Sequence, residues 1–370
     1  MRVLITANSL TDIGGVQTYV RDLARWLLER EHTPVVYSPH LGAAARQIER
    51  LTVPVTDDLG TIAVAPDVIH GNQTLETLTA LLHFGGVPAI FVTHGWRGSI
   101  ALAPRFPRVR RYIAVDHTCA DRLLLREGIP ADRVTVLLNA VDTTRFAQRA
   151  ALPAKPRRAI VFGNNAHELS FVPAIEEACR REGIAVDVIG SLSNASTETP
   201  EHLLGQYDLA FAKSKCAIEA MATGLAVILC DTGGLGGLVT SANVEPLRRY
   251  NFGIRTLRGE ITADAIRAEL ARYDAADALK VSDTIRRVAS DETLHASLLA
   301  IYQEVIAERF ETTLEEEARA AARVLTDLAK AQATVASDLS SFTKAAHRVL
   351  RTPVVGRVMG SAARWLARKP

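Results

Sequence analysis

The chain is predicted to be an α/β protein with two doubly wound domains facing a cleft, followed by C-terminal helices. Three observations predict it. A strand-like run at 2–7 passes through a polar, glycine-ending loop into an amphipathic helix and a second strand, the opening order of a doubly wound sheet. After a proline-bearing stretch near residue 150 the alternation of strands and helices begins afresh. A length of 370 residues is more than one hydrophobic core usually organises.

In the first half, Val16, Val20, Leu23 and Leu27 fall at helical spacing, which predicts a helix over 17–30 after the loop Asn8 to Gly15. Strands are expected at 34–38, 67–70, 88–94, 111–115 and 134–138, with helices at 74–83 and 118–127. Residues 147–158 carry two prolines and little periodicity and read as a linker. The expected division is a first domain over 1–147, a linker over 148–158 and a second domain over 159–312.

The second domain opens with a strand at 159–163, a helix at 171–181 and a strand at 186–189. The most informative stretch follows, residues 208–234, DLAFAKSKCAIEAMATGLAVILCDTGG. It reads as a buried strand at 208–212, a basic turn at 213–215, and a helix at 217–223 ended by Gly224. A second buried strand at 225–230 and a Gly233-Gly234 turn complete it. A single acid, Glu219, on a small-residue helix, with a diglycine turn after the next strand, suits a bound nucleotide. The carboxylate accepts hydrogen bonds from ribose hydroxyls, and the turn exposes backbone N–H groups to phosphates.

From Thr262 the chain is expected to be mostly helical. Thr313 and Glu316 fit a capping box. Leu314, Ala318, Ala321, Leu325 and Leu328 form an apolar stripe, so 313–339 is expected to be a long helix packing back on the first domain. After Ser340 there is no acid, while Lys344, Arg348, Arg351, Arg357, Arg364, Arg368 and Lys369 alternate with Val, Leu, Met and Trp. The segment 340–370 therefore reads as a basic amphipathic tail suited to an anionic membrane surface.

Composition narrows the function classes. A net charge of +2 points away from nucleic acid as a partner. The four cysteines, Cys119, Cys179, Cys216 and Cys230, lack metal-ligand spacing and read as reduced packing thiols. The apolar run at the N-terminus is too short for a signal peptide, and no run reaches transmembrane length. A cytoplasmic protein, at most peripheral on the inner face of a membrane, is expected. No G-x-G-x-x-G follows the first strand, which argues against a nicotinamide-dependent oxidoreductase.

These residues together resemble the GT-B glycosyltransferases, most closely the retaining family 4 group, over about residues 2–310. The resemblance rests on Gly14-Gly15-Val16-Gln17 before the first helix and on Thr93-His94-Gly95 after a mid-domain strand. It rests also on Asn139-Ala140-Val141-Asp142 with Phe146 closing the first domain, and on Glu219-Ala-Met-Ala-Thr-Gly224-Leu-Ala-Val227 followed by Gly233-Gly234. It implies two Rossmann-like domains, a UDP- or GDP-linked sugar donor as co-substrate, no metal or other cofactor, and a glycan, lipid-linked or small-molecule acceptor. Glu219 is then expected at the nucleotide ribose, and Gly14, Gly15, Gly163, Asn164, Lys215, Gly233 and Gly234 at the donor. His94 and Lys213 are expected beside the reacting centre. Asn139 is expected to fix the turn before the linker and Asp142 to cap it.

Two departures from the family pattern stand out. A second glutamate eight residues before Glu219 normally contacts the transferred sugar, and Phe211 stands there. An arginine and a lysine normally follow the first strand of the second domain and clamp the diphosphate, but residues 163–169 hold neither. Lys213 and Lys215 are the expected substitutes, because a departing diphosphate needs positive charge. The alternative is a relative that binds nucleotide sugars but has lost catalysis and serves as a partner subunit.

Overall fold

The computed structural model describes residues 1–96, 102–190, 193, 197 and 199–350, and for 335–350 the backbone alone. The tail expected over 340–370 therefore lies largely outside the described residues.

The first sheet has seven strands, β1 (Arg2–Thr6), β2 (Thr33–Tyr37), β3 (Val55–Thr56), β4 (Val68–Gly71), β5 (Ala89–Thr93), β6 (Val109–Ala114) and β7 (Val134–Val136). Their spatial order is β3-β2-β1-β4-β5-β6-β7 and every pairing is parallel. Strands buried on both faces need continuous apolar runs, which is how β1 and β5 read. The order reverses between β1 and β4, so the loops after these strands splay apart and open a crevice.

The second sheet has order β12-β11-β10-β8-β9, from β8 (Arg158–Phe162), β9 (Ala185–Ile189), β10 (Leu209–Ala212), β11 (Ala226–Asp231) and β12 (Gly234–Leu238). All pairs are parallel except β11 with β12. This changes the reading of Gly233-Gly234. The pair forms a hairpin into an added edge strand rather than an open phosphate turn. Gly234 has φ +135°, and a Cβ there would come within 2.8 Å of the Gly259 carbonyl oxygen, so the hairpin itself demands glycine.

Helices cover both sheets. Helix α1 (Gly15–Glu29) follows β1, then come α2 (Ala43–Glu49), α3 (Thr74–His83) and α4 (His117–Asp121). In the second half lie α5 (Val172–Arg181), α6 (Pro200–Leu204), α7 (Ser214–Thr223), α8 (Val244–Arg248), α9 (Ala263–Leu270) and α10 (Ala275–Val288), then α11 (Asp291–Ala307) and α12 (Leu314–Leu350). Gly224 caps α7 at φ +98°, the left-handed geometry that ends a helix at glycine. The helix expected over 118–127 divides into α4 and a π-helical turn over Arg122–Arg126.

The chain returns to the first domain earlier than the sequence reading had it. Leu298, Ile301, Tyr302 and Val305 of α11 belong to the first sheet's core, so the crossing falls at Ser290 and not at 313. There the two crossings pair with each other. The Val141 N–H donates to the Ala289 carbonyl at 2.8 Å, and the Asp291 N–H donates to the Val141 carbonyl at 3.2 Å.

Helix α12 also differs in its rotation. The capping box forms, with the Thr313 N–H donating to Glu316 at 2.9 Å and the Glu316 N–H donating to the Thr313 hydroxyl at 3.2 Å. The expected stripe faces the core only in part: Ala321 is buried and Leu328 packs against the first sheet's core, but Leu314 is 88% exposed and Leu325 49%, and Ala320 and Val324 are buried in their place. The cause is Arg108, which is fully buried and donates to the carbonyls of Leu81, Phe84 and Val87. Its remaining donors reach Glu317 at 2.7 and 2.9 Å. A buried guanidinium requires a carboxylate, and placing Glu317 there turns Leu314 outward.

Candidate active site in the cleft

Three adjoining cavities run along the cleft. The largest, about 830 Å³, lies between the N-terminus of α1 and the strand ends of the second sheet. Gly14, Gly15, Gly163, Asn164, Lys215 and Glu219, all expected at the donor, line it. A middle cavity of about 170 Å³ shares Gly15 and Lys215 with it. A third, of about 620 Å³, shares His94 and Ser214 with the middle one and contains Lys213 and Gly233. Of the expected site residues, Gly234 lines none of them.

Glu219 lies on α7 and is buried. Burial pushes its pKa up to about 7, against the pull of Lys215. Among the described residues nothing hydrogen-bonds its carboxylate, so a buried acceptor pair faces the large cavity. Opposite it, α1 begins at Gly14 and Gly15. A side chain at Gly15 would meet nothing within 4 Å, so local packing does not demand glycine there, and the bare helix N-terminus leaves its N–H groups open to an anion. Gly190 completes the floor. A Cβ on it would lie 2.1 Å from the Gly163 carbonyl oxygen, so the loops after β8 and β9 touch through glycine alone.

Lys215 is joined by two further positive charges from the first half of the chain. Arg21 and Arg145 line the large cavity beside Lys215. Asp22 gathers all three, at 2.7 Å from Arg21, 3.1 Å from Lys215 and 3.8 Å from Arg145. Arg145 also reaches Glu201 at 2.8 Å. Burial favours the protonated Asp22, but Lys215 and Arg21 outweigh it and hold the carboxyl well below the usual range. Two sequence signals pointed here. Gly14, Gln17, Thr18 and Arg21 share one face of α1 by helical spacing, and Arg145 lies inside the 139–146 motif.

Lys213 is placed differently from Lys215. It lines the third cavity, and its ammonium contacts the buried Asp231 carboxylate, which also accepts from Asn165 at 3.2 Å. Phe211 is not a substituted sugar contact. It lies inside β10, 1% exposed, in the core beneath the sheet. Strand β10 ends at Ala212 and α7 starts at Ser214, so there is no loop at that position to carry an acid into the cleft. The abrupt turn is made by Ser214 at φ +51°, a strained value for serine.

His94 sits where the middle and third cavities meet. Asn72 donates its amide N–H to the Thr6 carbonyl at 2.8 Å, which turns its oxygen toward His94 Nε2 at 2.7 Å. That oxygen only accepts, so Nε2 carries the proton. Burial, with Lys215 adding, lowers the His94 pKa to about 4. The ring is therefore neutral near pH 7 and its Nδ1 keeps a lone pair. Asn139 and Asp142 line the middle cavity. Asp142 caps its turn by accepting from the N–H groups of Thr144 and Arg145 at 3.0 and 2.9 Å.

Among the described residues no group of three or more His, Cys, Asp or Glu is placed to hold a metal ion. Among them, too, no helix is long and apolar enough to cross a membrane.

A family model, Glycosyltransferase Family 4, matches residues 13–145. No curated protein sequence matches the chain. Solved structures do. A glycosyltransferase from Rickettsia africae ESF-5 is 13% identical, with 83% of this chain and 99% of that one covered at a TM-score of 0.60. Anabaena Alr3699/HepE, solved in complex with UDP and glucose, is 14% identical over 82% of this chain and 100% of that one, with a TM-score of 0.59. A putative UDP-N-acetylglucosamine 2-epimerase from Listeria monocytogenes is 12% identical, covering 85% and 99% at a TM-score of 0.50. At these identities the structural likeness establishes the fold.

Proposed function

We propose that this chain, which has the GT-B fold and a family 4 match over residues 13–145, is a glycosyltransferase that moves a sugar from a nucleoside diphosphate sugar to a hydroxyl acceptor with retention at the anomeric carbon. The observation that carries the reading is Glu219, a buried carboxylate with no protein hydrogen bond at the wall of the 830 Å³ cavity. Two vicinal ribose hydroxyls satisfy such a group, and hydrogen bonds to a charged acceptor are the strong ones. The diphosphate then lies toward Gly14, Gly15, Gly163 and Asn164, with Lys215 beside it. The middle cavity of about 170 Å³ is large enough for one six-membered ring, and this supports the transferred sugar lying beside His94 Nδ1.

The acceptor oxygen bonds to the anomeric carbon as the bond from that carbon to the phosphate oxygen breaks. The acceptor's proton passes to the departing phosphate oxygen, so no protein base is consumed. The chain supplies position and charge, the latter from Lys215, Arg21 and Arg145. Both lysines are ion-paired, Lys213 with Asp231 and Lys215 with Asp22, but Lys215 lines the nucleotide cavity and Lys213 does not, which favours Lys215 of the two expected at the phosphate.

Titration with UDP, GDP, uridine and guanosine, followed by nucleotide release from the matching sugar conjugates, tests this. One nucleoside diphosphate binds, and Glu219→Ala weakens it at least tenfold. Undiminished binding by that variant refutes the ribose role.

A second reading, a nucleotide-sugar-binding partner subunit without turnover, is favoured by the direct passage of β10 into α7, which leaves no loop for a sugar-contacting acid. Binding without nucleotide release for any acceptor selects it. The Listeria likeness raises epimerisation, which release of free nucleoside diphosphate with a new glycoside separates from transfer. For residues 340–370 the charge pattern supports peripheral contact with an anionic leaflet from the cytoplasmic side. Equal vesicle co-sedimentation with and without this segment refutes it.

A further inference from the structure

We infer that the third cavity is the acceptor subsite, that it takes an uncharged, hydroxyl-rich acceptor of the sugar class, and that Asp116 is the residue that binds its hydroxyls. The inference rests on the donor placement proposed above. The third cavity, about 620 Å³, shares no lining residue with the nucleotide cavity and meets the middle one at His94 and Ser214. A donor running from the nucleotide cavity into the middle cavity ends its sugar at that junction. The third cavity opens there at the side of the sugar, next to Ser214 and hence close to Lys215, so an acceptor in it turns a hydroxyl to the face of the anomeric carbon that carries the phosphate, as the retaining step requires.

The lining chemistry is that of a sugar site. Trp96 provides a half-buried aromatic face. Asp116 is buried to 9% exposure. One of its oxygens caps α4 by accepting from the Cys119 N–H at 2.7 Å. No cation pairs with it among the described residues, so its acceptor capacity is not used up by capping. Thr118, 4% exposed, lines the same cavity, and its hydroxyl has no hydrogen-bond partner. A buried hydroxyl without a partner costs free energy in the protein alone; the oxygen is itself closed off, and a rotation of the Thr118 side chain would bring it to the cavity, where a ligand hydroxyl recovers that cost.

Charge then selects among acceptors. Lys213 is the sole cation among the described lining residues, and Asp231 neutralises it. Arg255, which stands 6.0 Å from the Trp96 ring, is engaged by Asp121 at 2.5 Å. Asp116 makes no direct ion pair among the described residues, and Arg255 acts on it only from a distance. A phosphorylated or carboxylated acceptor would be repelled, whereas neutral hydroxyls donate to it.

The test uses the full chain and saturation-transfer NMR, with methyl glucoside, methyl galactoside and methyl mannoside as neutral probes and methyl glucuronide as the acidic one. At least one neutral glycoside binds in the presence of UDP or GDP, at least tenfold more tightly than the glucuronide. Asp116→Asn, which retains a capping oxygen, and Thr118→Val, which removes only the unpartnered hydroxyl, each weaken it at least fivefold. Both leave nucleotide affinity within twofold. Absence of binding by every neutral glycoside, binding unchanged in both variants, or preference for the glucuronide overturns the inference. So does competitive displacement of the glycoside by UDP-glucose or GDP-mannose where the bare nucleotide does not displace it, because the cavity would then hold the donor's sugar. A failure confined to nucleotide binding, with the glycoside results intact, overturns the donor placement instead.

Discussion

Replacing Glu219 by glutamine separates a charge effect from a packing effect, because the side chains are nearly isosteric. Burial raises the carboxyl from its ordinary 4.5 to about 7. The folded state therefore holds a proton that the unfolded chain has released, and folding stability falls as pH rises from 4.5 to 7. At 1.36 kcal/mol per unit, the part of that window between pH 5 and pH 8 amounts to about 2.5 kcal/mol. Glutamine never ionises, so any constant packing difference cancels when the two pH values are compared. Relative to wild type, Glu219→Gln should gain about 2.5 kcal/mol on going from pH 5 to pH 8. At about 2–4 °C per kcal/mol for a domain of this size, thermal unfolding resolves the gain. Nucleotide affinity should move the other way. Ribose hydroxyls donate to the charged form, so wild-type affinity rises with pH up to about 7 and then levels, while the variant is weaker and flat. A stability difference independent of pH, or a variant whose nucleotide affinity still follows pH, would refute the argument.

Three further outcomes follow from the same geometry. Gly190→Ala forces a methyl into the Gly163 carbonyl, so titration calorimetry should show nucleotide affinity at least tenfold lower with an unchanged circular dichroism spectrum; unchanged affinity means the two loops do not shape the cavity. Glu317→Gln strips the buried Arg108 of its carboxylate and should cost about 3–5 kcal/mol in urea unfolding; a loss below about 1 kcal/mol would mean that this pair does not anchor α12. Asp22→Asn removes a carboxylate held well below its usual pKa by Lys215 and Arg21, so it should destabilise the protein at pH 7. The difference should shrink as pH falls below the ordinary carboxylate range, because the stabilisation of a depressed acid is lost in that direction; a difference that stays constant down to pH 2.5 counts against the ion cluster.

How much of the site was legible depended on whether the signal was local. Glu219 stands out because an acid among Ile218, Ala220 and Met221 has no ordinary reason to be there. The strand-to-loop positions of Gly14, Gly163 and Lys215 follow from the alternation of elements, and the structure gathers them in one cavity. The rotation of α12 was not legible, because it is set by Arg108, far away in sequence, whose buried charge outweighs the exposed leucines. Arg21, Arg145 and Asp116 were missed for a related reason. Each is an ordinary charged residue in its own segment and becomes part of the cleft only when the domains face one another.

At Phe211 the eight-residue spacing misleads for a different reason. Counting eight residues back from Glu219 assumes an intervening loop, and β10 passes into α7 through Lys213 alone. With no loop there, and with neither arginine nor lysine in 163–169, the second domain contributes Glu219, proposed for the ribose, and Lys215. The other charges at the nucleotide cavity, Arg21 and Arg145, come from the segment matched to family 4, and so does Asp116 in the neighbouring cavity. In the proposed mechanism, stabilisation of the departing diphosphate then depends on the first domain being in place. Lys215 is already held to that domain through Asp22. On that proposal nucleoside recognition belongs to one side of the cleft and charge stabilisation to both, so a substitution that loosens the contact between the domains should slow the chemical step.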